Sequence, residues 1–150
     1  MTAQLRFAMH RLPSSPNLHN SDMHAAYFET RFKTAEFVDT WPGSFAIITA
    51  HATTGEHWSP AENADADAQL EQALRLRNVE MRRLTGYSPT TGHEEPGWAC
   101  ELSFDDACDL GAFFRQDAIY LVTSGALSVT YCDERRRPVP VGIFLERLDR

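Results

Sequence analysis

Glu62 and Asn63 stand side by side in the stretch HWSPAENADADAQLEQAL, at the mouth of a long helical pattern. Ser59 precedes them, Pro60 follows Ser59, and Glu62 lies three residues after Ser59. This is capping-box spacing, in which the Ser and Glu side chains satisfy each other's backbone N–H groups. Such a cap is worth about 0.5–2 kcal/mol and is sufficient to explain Glu62. It explains Asn63 less well: on this reading Asn63 simply faces solvent in the first turn, yet it is a poor helix former with no capping role one turn in. A hydrogen-bonding role in a pocket is the sharper reading of Asn63. Glu95, in HEEPGW, is either a loop acid ahead of a proline or a second carboxylate dividing acid and base work with Glu62. Gln116 either closes the last turn of a later helix or joins the same site. Thr30 shares a strand face with Phe28 and Phe32 and is expected to be a buried hydroxyl, with Tyr27 on the opposite face. Thr30, Glu62, Asn63, Glu95 and Gln116 are therefore the candidate ligand-binding residues.

Other chemistries find less support. His51, Glu56 and His57 are close together and His93 follows in a later loop, yet no HExxH appears and the spacing fits no common zinc pattern. No GxSxG is present, and no cysteine has a neighbouring histidine. Neither GxxxxGK[ST] nor GxGxxG occurs. No metal and no cofactor are expected. Cys100, Cys108 and Cys132 form no CxxC pair and read as reduced core thiols, which points to a cytoplasmic setting.

The elements that must position these residues follow from periodicity. Residues 1–24, rich in Pro, Ser, Asn and His, read as a flexible arm. AYFETRFKTAEF alternates as a first strand, and FAIITAHA is apolar enough for a strand covered on both faces. Ala66, Leu70, Ala73 and Leu74 give the first helix one apolar stripe, with Asn78 as its stop. VEMRRLTGY is a strand, SPTTGHEEPG a long polar loop and WACELS another strand. Ser103 caps a second helix whose stripe is Ala107, Leu110, Gly111 and Phe114. AIYLVT, a turn at Ser124–Gly125, and ALSVTYC complete the body. Residues 133–150 read as a basic, proline-broken tail in which Arg135 to Arg137 form a solvated patch and GIFLERL docks as a short helix or on a partner.

The predicted order is β-β-α-β-β-α-β-β in one α+β domain over residues 25–132. Residues 45–123 give β-α-β-β-α-β, a ferredoxin-like split βαβ with both helices on one face of an antiparallel sheet, extended by an N-terminal and a C-terminal strand. The first strand raises a tension. It should lie beside its sequence neighbour, which such a core already flanks on both sides, so it must pair at an edge or the order must differ.

The residues also resemble a bacterial family known as a domain of unknown function, number three-two-nine-three. The shared features are Tyr27, Thr30 and Phe32 in an aromatic-x-x-Thr-x-aromatic strand, FAIITA, and Ser-x-x-Glu-Asn at Ser59, Glu62 and Asn63. Glu95 to Gly97 and a Phe-x-Gln-x-Ala-Ile segment from Phe114 to Ile119 complete the set, which spans about residues 25–132. HATTG stands where the family usually carries Asn-Pro. The resemblance implies a recurring set of polar residues and brings no reaction or ligand.

The 150 residues are enough to bury a core, and a hydrophobic fraction of 43% argues against disorder. No apolar run approaches the roughly 18 residues a membrane helix needs, and the first residues lack the apolar core of a secretory signal. The net charge of −7 is uneven: Glu56 to Asp109 hold 12 acidic and 4 basic residues. That disfavours direct nucleic-acid binding. Three readings follow. The first is a non-catalytic module that binds a small polar ligand or a protein, with a homodimer through a sheet edge as one form of it. The second is an acidic inhibitor-like protein docking on a basic, nucleic-acid-handling partner. The third is an enzyme using Glu62, Asn63 and Glu95.

Overall fold

The structure, a computed structural model, describes residues 25–52 and 57–149. The arm expected over residues 1–24, and Glu56, lie outside that range. The described chain is a mixed α+β domain with two helices and one curled, seven-stranded antiparallel sheet. In chain order the elements are β1 (Arg31–Lys33), β2 (Ser44–Thr49), α1 (Pro60–Leu76), β3 (Met81–Tyr87), β4 (Glu94–Cys100), α2 (Phe104–Phe113), β5 (Ala118–Thr123), β6 (Ala126–Tyr131) and β7 (Val139–Ile143). The strands lie in the order β1-β3-β4-β2-β5-β6-β7. The first strand therefore pairs at an edge, beside β3, with Phe32 opposite Gly86.

Both helices cover one face of the sheet. Leu70 and Leu74 of α1 and Ala107, Cys108 and Leu110 of α2 pack on Ala46, Ile48, Cys100 and Ile119. Gly111 lets α2 approach closely, because a methyl group there would come within 2.8 Å of Cys132 Sγ and Ile119 Cγ2. The other face is equally apolar and carries Phe32, Phe45, Ile47, Leu84, Tyr120, Val129 and Phe144. With helices on one face and the curled sheet closing on itself on the other, β2 is buried on both sides, as its unbroken apolar run requires.

Three expectations are corrected. The first strand is only three residues long, because Ala25–Phe28 form a 3-10 turn. Strict alternation is lost there, and Tyr27 and Thr30 are both buried, where only one of them was expected in the core. The loop expected through Glu95 is a strand from Glu94 onward, with Pro96 inside it. Pro96 is tolerated because β2 pairs with β4 only as far as Thr49 opposite Gly97, so at Pro96 the strand has a partner on one side only.

The third correction concerns the basic residues after Cys132, which are not a solvated patch. Arg136 reaches Asp109 at 2.7 Å and Asp105 at 3.4 Å on α2, and Arg135 stacks 3.8 Å from the Tyr131 ring. The chain then forms β7 on β6 and a 3-10 turn at Phe144–Glu146, with Phe144 buried in the core. Leu148 bridges to Phe32, where Phe32 N donates to Arg147 O and Asp149 N donates to Phe32 O. This contact ties the β1 edge of the sheet to the segment that follows β7 at the other edge.

Candidate functional site

Thr49 is the last residue of β2, and its side chain shares a face with Gly97 directly opposite and Glu95 two residues earlier on β4. Gly97 makes this possible. A methyl group there would lie 2.7 Å from Thr49 Cγ2 and 2.5 Å from the Ile48 carbonyl oxygen. Gly86, opposite Glu95 on β3, brings no side chain of its own to that face. Glu95 is fully buried.

The hydrogen bonds around Glu95 are short of donors. Thr49 Oγ1 stands 3.2 Å from Gln116 Oε1 and 3.4 Å from Glu95 Oε1. The amide of Gln116 cannot be turned round to help. Its Nε2 donates to the His51 and Phe114 carbonyl oxygens, each at 3.1 Å, so its oxygen must face Thr49. A threonine hydroxyl has one proton, and two acceptors compete for it. The second Glu95 oxygen faces His93 Nε2 at 3.2 Å. With the proton of His93 on Nε2, three acceptor oxygens share two donors around the fully buried Glu95.

The edge of this cluster is partly open. His93 keeps 19% of its side chain exposed, and the His51 ring meets it edge-on with centroids 6.0 Å apart. Asn63 anchors the rim, its Oδ1 accepting from Ala52 N at 2.9 Å. One turn into α1, its side chain reaches back to the segment that leaves β2. This is the role helix propensity alone did not explain.

Thr30 lies deeper on the same side of the sheet. Its hydroxyl donates to Ala26 O at 3.0 Å, and Arg147 Nη1 donates to its carbonyl at 3.1 Å. Nearby, the Tyr120 hydroxyl donates to Tyr27 O at 2.7 Å. Burial pushes the Tyr120 hydroxyl far up from its ordinary range, and the nearby Glu95 charge adds to that shift.

Glu62 stands apart from the other four. Its Oε1 accepts from Ser59 N at 2.7 Å while Ser59 Oγ accepts from Glu62 N at 3.1 Å, so it is exposed and engaged in its cap. It borders a shallow groove with Trp58, Asp65, Phe113 and Arg115, which includes none of Thr30, Asn63, Glu95 and Gln116.

The structure thus links Asn63, Glu95 and Gln116 through the 49–52 segment and sets Thr30 behind them. The family model described as Protein of unknown function (DUF3293) matches residues 48–119. This is the family the motifs resemble. The DUF3293 match begins one residue before Thr49 and ends three after Gln116, so it contains the whole hydrogen-bonded cluster. No curated protein and no solved structure matches the chain.

Three members of the cluster escaped the sequence reading. Thr49 was hidden in an apolar run, and His51 and His93 were weighed only as metal ligands. His93 was legible in one respect: had HEEPG been read as strand, the i, i+2 spacing would have put His93 and Glu95 on one face. Among the described residues no group of three or more His, Cys, Asp and Glu is placed to hold a metal ion. The thiols offer no nucleophile near neutral pH. Burial pushes Cys100 up to about 12 and Cys108 up to about 11, and raises Cys132 further.

Proposed function

We propose that the chain is a non-catalytic binding module for a small polar ligand that brings hydrogen-bond donors to Glu95 from the side of the half-buried His51 and His93. The observation that carries this reading is the donor shortage. Each Glu95 oxygen has one partner, and the Thr49 hydroxyl that serves Oε1 is shared with Gln116. Burying a carboxylate with so few donors is costly, and a protein keeps such a group where a function offsets the loss. An amine, amidine or hydroxyl group on the ligand supplies what is missing. Asn63 and His51 shape the rim, and Gln116 and Thr49 hold the carboxylate in place.

The strand order β3-β4-β2-β5, with β4 between the two strands that α1 connects, supports reading residues 45–123 as a ferredoxin-like split βαβ core.

The inhibitor alternative draws less support, because much of the acidic block is already paired within the chain. Asp67 binds Arg83, Glu71 binds Arg75, and Asp105 and Asp109 bind Arg136. The enzyme alternative needs Glu62 beside Glu95, and Glu62 is committed to its cap.

The test is a thermal-shift screen of polar metabolites carrying amine, amidine or hydroxyl groups, run on the wild type and on Glu95→Gln. Ligands that raise the wild-type midpoint and leave the variant unmoved support the proposal. Ligands that act equally on both, or a screen without any shift, contradict it.

A further inference from the structure

A second hollow lies at the far end of β2 from Glu95. It encloses about 550 Å3 between the 34–43 segment, the start of β2, the β5–β6 turn and the 3-10 turn after β7. That volume lies within the range of small-molecule sites. Its walls are apolar and largely aromatic, with Trp41, Phe45 and Phe144 in mutual ring contact and Val122 and Leu148 between them.

Its charges have one sign. Glu36, Asp39 and Asp149 line it, and no Lys, Arg or His does. Asp149 is already engaged by Arg31, at 3.0 Å, and by the Tyr87 hydroxyl. The Glu36 and Asp39 carboxylates form no ion pair among the described residues. They flank Phe37, whose side chain is 72% exposed at the same hollow. An exposed phenylalanine between two uncompensated carboxylates gains from a ligand with an apolar body and a positive charge: the body covers the ring and the charge answers the acids.

We infer that this hollow is a binding site for a small organic cation with a flat apolar body, separate from the site at Glu95. The ring system enters beside Phe45 and Phe144, under Phe37. The ammonium group stays at the rim with Glu36 and Asp39. An organic anion of the same shape meets the same walls and the wrong charge.

The probes are 2-phenylethylamine, its neutral counterpart 2-phenylethanol and the anion 3-phenylpropanoate, titrated into the full chain and followed by two-dimensional NMR of backbone amides. The amine is expected to shift amides of the 34–43 segment and of Ser124–Gly125, and to bind at least about tenfold more tightly than the anion, a difference of about 1.4 kcal/mol. The exposed double variant Glu36→Gln/Asp39→Asn should bring the amine down to the level of the alcohol. Phe37→Ser, also at an exposed position, should weaken both amine and alcohol. Equal binding of amine and anion overturns the cationic assignment. An amine affinity unchanged in the double variant, shifts confined to other parts of the sheet, or no shift with any probe overturns the site.

Discussion

Thr49 and Gly97 face each other across β2 and β4, and the missing side chain of Gly97 is the space in which the Thr49 methyl group and the Ile48 carbonyl lie. The Glu-Pro-Gly motif thus has a packing logic. Its glycine admits Thr49, and its glutamate shares with Gln116 the hydroxyl that Thr49 presents. Gly97→Ala forces a methyl group to within 2.5 Å of backbone, which cannot rotate away. Urea denaturation should show a loss of about 1–3 kcal/mol or more. An unchanged midpoint would mean that the two strands are not this close.

Asn63 holds the segment leaving β2 through one bond to Ala52 N. Asn63→Ala should cost about 0.5–1.5 kcal/mol by the same measurement, the ordinary value of one such bond. Amide hydrogen exchange should quicken at Ala52 in particular. Unaltered protection at Ala52 would remove Asn63 from the rim of the site.

The pair Tyr87–Asp149 gives stability a dependence on pH at both ends. The Tyr87 hydroxyl, with Arg31 second, holds the Asp149 carboxyl below its ordinary range. A lowered acid contributes above its unfolded value, about 3.9, and that contribution is lost as pH falls through the folded value. The bond to Asp149 likewise raises Tyr87. A raised group contributes below its unfolded value, about 10, and loses that as pH climbs through the folded one. Thermal midpoints followed across pH should fall at both limits, and Asp149→Asn should flatten both limbs. Superimposable profiles for variant and wild type would show that this contact contributes nothing.

The three thiols should resist a disulfide exchange reagent in the native state. Only the thiolate attacks, and burial opposes its formation at Cys100, Cys108 and Cys132. With Ellman's reagent near pH 8, the expected course is slow release of colour whose rate follows global unfolding. A rapid burst from one cysteine would expose a reactive thiol that the packing denies.

Much of this architecture was legible in the residues. Ser59 and Ser103 announced both helices, and the apolar stripe through Leu70 and Leu74 and the run through Ile47 and Ile48 marked the right faces, because local caps and periodicity act within one element. Pro96 hid the start of β4, since a proline argues against a central strand and only tertiary pairing shows that β2 has already ended there. The segment after Cys132 looked like a tail because its prolines and arginines carry no periodicity. Its place in the sheet depends on Phe144 and on acids in a distant helix. The polar set was legible as a list, apart from Thr49, His51 and His93. Its hydrogen bonding was not, because the partners come from separate strands, a loop and a helix.

The most direct measurement of the central claim is the stability of Glu95→Gln against the wild type near pH 8, by urea denaturation without ligand. A glutamine keeps the shape and adds donors to a cluster that has two for three acceptors. If Glu95 is retained for a ligand at the expense of the fold, the variant should be more stable by about 1–3 kcal/mol. A variant less stable than the wild type would show that the carboxylate is part of what holds the strands together, and would contradict the account.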